Sequence, residues 1–242
     1  LVEPGVPFLD NWHIVLICEY LMAVSLGINK RLWINIPPRY SKSTLVSVMW
    51  PCWEWAAIKP SQSWVVSTYV QSLSTTLSRK RRDIVSSPWY QSRWPMPLRP
   101  DLNTQDEFGT TLGGVMIATS VGGRATGLGG DRLLIDDPTD PGQAISDTER
   151  ERSNEWYFST FASRLNDKRM GAIVGIQQRL HQHDMTGALT GLDITDMNGH
   201  VLEGNGWTLL RIPLVAEQDE DLYSPLPGHR LIHSRKEGDL LW

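Results

Sequence analysis

The stretch Arg31-Leu32-Trp33-Ile34-Asn35-Ile36-Pro37-Pro38-Arg39-Tyr40-Ser41-Lys42-Ser43-Thr44 decides how the rest of the chain is read. Arg31 to Ile36 is a short apolar run of strand type that stops at two prolines. From Lys42 to Ala57 the residues suit a helix, with Pro51 expected to kink or interrupt it. The unit is strand, turn, helix, with Lys-Ser at the helix start. A bound triphosphate needs backbone N–H groups, the positive end of a helix, an ammonium on its outer phosphates and a hydroxyl for its magnesium ion. Pro37 and Pro38 have no N–H, so the cradle falls on the amides that follow. Arg39, Tyr40, Ser41, Lys42, Ser43 and Thr44 are the candidate binding residues, with Lys42 reaching the β- and γ-phosphates and Ser43 the metal. The usual phosphate-loop spacing would put glycines at positions 36 and 41, where this chain has Ile36 and Ser41. Taken alone, the segment also fits a Pro-rich turn with a solvated lysine.

Further along, Leu133-Leu134-Ile135 is an apolar strand that runs into Asp136-Asp137-Pro138. A parallel sheet presents its ligands at such strand ends. In a nucleotide hydrolase the first carboxylate holds magnesium and the second orients the attacking water, roles that Asp136 and Asp137 fit. Other short apolar runs at Trp64–Thr68, Val115–Ser120, Ala172–Ile176 and Trp207–Ile212 read as strands. They alternate with helical patterns from Trp12 to Val24, capped by Asp10-Asn11, from Val70 to Val85, and from 146 to 161, where Ser146 and Glu149 have capping-box spacing. The segment Trp94 to Gly114 reads as a loop or a pair of edge strands. Apolar strands alternating with helices predict a doubly wound α/β fold whose sheet is mainly parallel and covered on both faces.

The totals agree with that class. The chain has 242 residues, 40% hydrophobic and 21% charged, the balance of an ordinary globular protein. One domain spanning 1–242 is the simplest organisation. No apolar run reaches the roughly 20 residues of a membrane span, so no membrane partner is expected. A net charge of -4 offers no global attraction to a polyanion, and any nucleic-acid contact must come from local patches. Two cysteines, Cys18 and Cys52, make neither a disulfide framework nor a metal-thiolate set, and both are expected in the core. The chain opens on Leu1 with no signal-peptide pattern, so we expect further sequence on at least one side.

In their order along the chain, these segments resemble the N-terminal ATPase domain of the large terminase subunits of tailed bacteriophages. The stretches that carry the resemblance are Trp12-His13, Pro37-Pro38-Arg39-Tyr40-Ser41-Lys42-Ser43, Gly123-Arg124-Ala125-Thr126-Gly127 leading into Leu134-Ile135-Asp136-Asp137-Pro138, and Gln177-Gln178-Arg179-Leu180-His181-Gln182-His183-Asp184. The resemblance implies a P-loop NTPase of the ASCE type, a three-layer sandwich around a central, mainly parallel sheet, that uses ATP and Mg2+ to drive double-stranded DNA into a capsid. It implies Lys42, Asp137 and Arg124 as catalytic, with Arg124 acting on the nucleotide of a neighbouring subunit. Ser43 and Asp136 hold the metal, Gln177 or Gln178 senses the γ-phosphate, and Trp12 and His13 lie near the adenine. It further implies a homo-oligomeric ring, of five copies, with the portal protein and the small terminase subunit as partners in the host cytoplasm. A nuclease domain is expected downstream and is not recognisable in this chain. Ser41 in place of glycine departs from the family, as does Gln178 before Arg179-Leu180-His181 where Thr and then Arg-Trp-His is usual.

The residues themselves leave alternatives open: a helicase-like motor, a small-molecule phosphotransferase, or a nucleotide-binding module without turnover. Without the resemblance, Arg39, Arg132 and Arg179 compete with Arg124 for the arginine role. His181, His183 and Asp184 have the alternation of a metal site, but a simpler loop explanation is preferred. The run Arg79-Lys80-Arg81-Arg82 is expected to be a solvated helix end. Trp33, Trp50, Trp53, Trp55 and Trp64 are expected in the core.

Overall fold

A computed structural model describes residues 9–123, 127–192 and 201–242. The first helix, α1 (Trp12–Ser25), starts where Asn11 caps the Trp12 amide, and it leads into β1 (Arg31–Asn35). Helical backbone then runs from residue 42 to Ala57, with a π-helical stretch at Thr44–Met49 ahead of α2 (Trp50–Ala57). Pro51 does not break this helix. The Trp50 amide bonds the carbonyl of Leu45, five residues back, so the wider turn absorbs the proline. Next come β2 (Ser63–Thr68), α3 (Gln71–Ser86) and the short α4 (Pro88–Gln91).

The segment read as a loop or edge pair is the antiparallel pair β3 (Leu98–Asn103) and β4 (Glu107–Thr110), followed by β5 (Val115–Ser120) and β6 (Arg132–Asp136). In α5 (Asp147–Trp156) the Ser146 hydroxyl caps the Glu149 amide as the spacing predicts, but the helix turns π-helical at Tyr157–Phe161. The chain continues through β7 (Ala172–Gln177), α6 (Met185–Thr190), β8 (Val201–Gly204) and β9 (Trp207–Arg211). A hairpin of β10 (Glu220–Tyr223) and β11 (Leu231–Arg235) follows. The sequence reading missed β8 and this hairpin, which carry too few apolar residues to stand out.

Among the described residues nine strands form one sheet in the order β3-β4-β5-β2-β6-β7-β1-β9-β8. From β5 to β9 every neighbouring pair is parallel, and the antiparallel strands sit at the edges. Side chains alternate between two cores, as the pleat requires. Leu32, Ile34, Trp64, Val66, Leu134 and Val174 face one core with α1, α2 and α3. Trp33, Val65, Leu133, Ile135 and Ile173 face the other, with Trp156 of α5, Phe161 and Leu189 of α6. The result is the three-layer arrangement expected of the sequence.

Most of the tryptophans expected inside are buried, and Trp53 is half-buried. Gly175 makes room for Trp33: the two residues are register partners, and a Cβ at 175 would lie 1.9 Å from the indole. Cys52 is buried as expected, but Cys18 lies on the exposed side of α1. Arg81 also departs from expectation, being fully buried within the basic run. Helical periodicity explains this, since Leu77, Arg81 and Ile84 share the inward face of α3.

Candidate active site

The turn after β1 begins where that strand meets its neighbour, with the Ile36 amide bonding the Gln177 carbonyl at 3.2 Å. Arg39 and Ser41 both take positive φ, 70° and 58°, which tightens the turn enough to start the helix at Lys42. The usual glycine at position 41 has a physical explanation here, because only glycine adopts that backbone without steric cost. On the other side, Asp136 is the last residue of β6 and is fully buried. Asp137 sits at φ 45°, a left-handed conformation that Asp tolerates better than most residues. Its amide bonds the carbonyl of Ile176 (2.9 Å), and its carbonyl accepts from Tyr69 (3.1 Å), so the acid is held between β7 and the start of α3.

The two motifs meet across β7, the strand that separates β1 from β6. The Lys42 Nζ pairs with both carboxylate oxygens of Asp137. Ser43 Oγ donates to Asp136 Oδ1 at 3.0 Å. Ser47 Oγ donates to Asp136 Oδ2 at 2.6 Å, and the Gln178 amide donates to Asp137 Oδ1 at 3.3 Å. Burial and the neighbouring Asp137 carboxylate push the Asp136 carboxyl up to about 6, while Ser47, Lys42 and Ser43 pull it down. Ser47 was missed in the sequence. Its spacing of four from Ser43 puts both hydroxyls on one helix face, and that signal was there to be read.

A hydroxyl and a carboxylate 3.0 Å apart are oxygen donors of the kind magnesium takes when phosphates and waters complete its shell. Among the described residues no group of three or more His, Cys, Asp or Glu could hold an ion without such help. Ser43 and Asp136 are the residues that could hold such an ion. They do not make an all-protein cage.

Of the remaining candidates, Tyr40 meets the fully buried His13 edge-on, with ring centroids 5.6 Å apart, which brings the start of α1 to the turn after β1. Burial lowers the His13 pKa below the ordinary histidine value, and a backbone contact with Tyr40 and the nearby Asp10 oppose that fall. Trp12 stacks on His233 of the hairpin instead. Thr44 is half-buried and Arg39 exposed, both on the turn. Gln177 is turned away: its Nε2 donates to Thr186 Oγ1 at 2.6 Å, a hydroxyl that also takes Trp33 and Asn35. Gln178, by contrast, touches Asp137 through its amide.

Arg132 is a structural residue, paired with the fully buried Glu54 at 2.6 Å. Arg179 is committed to Asp184 at 3.2 Å, and that carboxylate also caps α6. Asp184 is thereby explained without a metal, and the His181 ring accepts from the His183 amide. Arg124 lies outside the described residues.

Comparison of sequences finds no match among protein-family models and none among curated proteins. Comparison of structures finds the crystal structure of the HK97 bacteriophage large terminase, at 13% identity and a TM-score of 0.53. The match covers 77% of this chain and 37% of that one, so this chain corresponds to well under half of the terminase's length. The shared feature is the fold, an α/β domain around a large, mainly parallel sheet.

Proposed function

We propose that residues 1–242 act as one ATP-hydrolysing motor domain of a viral DNA-packaging terminase, coupling hydrolysis to movement of double-stranded DNA into a capsid. The observation that carries the reading is the meeting of Lys42 and Ser43 with Asp136 and Asp137, groups almost a hundred residues apart in sequence, at the ends of parallel strands. The fold shared with the HK97 terminase supports it. In this reading Lys42 leaves Asp137 for the outer phosphates, where its ammonium offsets charge growing in the transition state. Asp137, once released, orients the attacking water and takes its proton. Ser43 and Asp136 hold magnesium, which when bound would neutralise charge on the phosphate oxygens.

The amides from Tyr40 to Thr44 receive the phosphates, with Arg39 at the rim, and His13 with Tyr40 forms the wall nearest the nucleobase. Gln178, whose amide touches Asp137, is better placed than Gln177 to follow the γ-phosphate. Arg124 supplies a guanidinium to the neighbouring subunit's nucleotide in a ring of copies mounted on the portal, with the small terminase subunit as partner, in the host cytoplasm. Phosphate release by the intact chain tests the core of this reading. Activity is expected to depend on magnesium and to fall to background in Lys42→Ala. Release that is unchanged in Lys42→Ala would remove the ATPase assignment.

A further inference from the structure

The function proposed above leaves Arg81 without a role, although it is the costliest residue of the basic run. An arginine that is fully buried pays a desolvation penalty of several kcal/mol unless it is well paired. Arg81 Nη1 donates to the carbonyl of Ser47 at 2.7 Å, while Nε and Nη2 have no hydrogen-bond partner among the described residues. Burial lowers its pKa to about 10, and attraction to Asp136 opposes that fall, so the guanidinium stays charged at neutral pH.

Arg81 reaches this carbonyl from α3, across to the π-helical stretch that carries Ser47. The same Ser47 directs its hydroxyl at Asp136 Oδ2 (2.6 Å), while Ser43 holds Oδ1 (3.0 Å). A chain of contacts therefore runs from Arg81 through both polar groups of one serine to the carboxylate assigned to the metal.

We infer that Arg81 is a positioning residue for metal binding: by holding the Ser47 carbonyl, it fixes the helical turn from which Ser47 orients the Asp136 carboxylate. The inference rests on the ATPase reading above. Partners of this kind behind a metal ligand are worth roughly 10–100-fold in metal affinity.

The test is Mn2+ binding to the intact chain with a non-hydrolysable ATP analogue, read by electron paramagnetic resonance. Analogue binding without metal is measured alongside. Arg81→Met and Ser47→Ala should each weaken Mn2+ binding by about tenfold or more and leave metal-free analogue binding unchanged. Arg81→Lys, which keeps a donor and a charge, should recover most of the loss, and the double variant should be no weaker than the worse single one. Wild-type Mn2+ affinity in Ser47→Ala would overturn the inference, as would equal losses with and without metal, or additive losses in the double variant. Should Arg81→Met fail to fold, Arg81→Leu takes its place, and wild-type Mn2+ affinity in that variant overturns the inference. If the wild-type chain binds no analogue under any condition, the ATPase reading itself fails and this inference falls with it. Tight analogue binding with variant-insensitive Mn2+ affinity sinks the inference alone.

Discussion

Replacing Asp137 by Asn should make the protein bind ATP more tightly while nearly abolishing turnover. Lys42 is committed to both oxygens of Asp137, with side-chain exposures of 9% and 22%. Phosphates must break that pair and approach a carboxylate of their own sign. Two unit charges at 4 Å interact by about 4 kcal/mol at the effective dielectric suited to near-surface pairs. Partial exposure and the surviving Asn carbonyl discount this to about 1.5–3 kcal/mol, or roughly tenfold to a hundredfold in affinity. Loss of the proton acceptor should lower turnover by about 10²–10⁴.

The ligand-free variant should also be less stable, because an ammonium that is 8% exposed loses its counter-charge. About 2 kcal/mol is reasonable, roughly 4–8 °C for a chain of this size. Calorimetric titration with ATP and Mg2+, phosphate release and thermal melts read the three effects. Affinity that is unchanged or weaker in a well-folded Asp137→Asn would refute the competition between acid and phosphate for Lys42, whatever happened to the rate.

Three other outcomes follow from the same geometry. The Asp136 carboxyl sits at about 6 in the folded chain against 3.8 for the ordinary group, so its ionisation opposes folding. The metal-free protein should lose stability as pH rises from about 4 to about 6 and level off above that window. Asp136→Asn should flatten that slope in melts taken across the range, and an unaltered slope would contradict the assignment. Ser41→Gly removes a residue held at φ 58°, and should raise stability by about 1 kcal/mol or tighten phosphate binding. A loss in both melting temperature and analogue affinity would speak against strain at this position. Gly175→Ala places a carbon 1.9 Å from the Trp33 ring, and overpacking of that kind should cost at least about 1–3 kcal/mol, visible in denaturant melts. Wild-type stability would mean that the indole has somewhere else to go.

Local chemistry made much of this protein readable in advance. The helix expected from Lys42 to Ala57 spans the observed helical segment, because its residues favour helix and two prolines block an earlier start. The apolar runs at Trp64–Thr68, Val115–Ser120 and Ala172–Ile176 became parallel strands, since a strand buried on both faces is dominated by apolar residues. Asp136 was expected at a strand end and lies at one. Ser47 was missed and Arg81 was expected in solvent, because their partners are residues 136 and 47 in turn, far from each in the chain. Gln177 was a fair candidate from its place at the strand end, yet its side chain follows the opposite side of the pleat, toward Thr186.

From its residues alone, this chain determined the element types, the Lys-Ser turn after β1 and the paired acids, because such signals arise between neighbours a few positions apart. The tertiary structure decided that β7 lies between the strands bearing those motifs, that Lys42 rests on Asp137, and that one basic residue of four turns inward. These depend on strand order and on which helix face meets the sheet. Such contacts lower the free energy only when distant segments are packed together, and no short window of sequence records them.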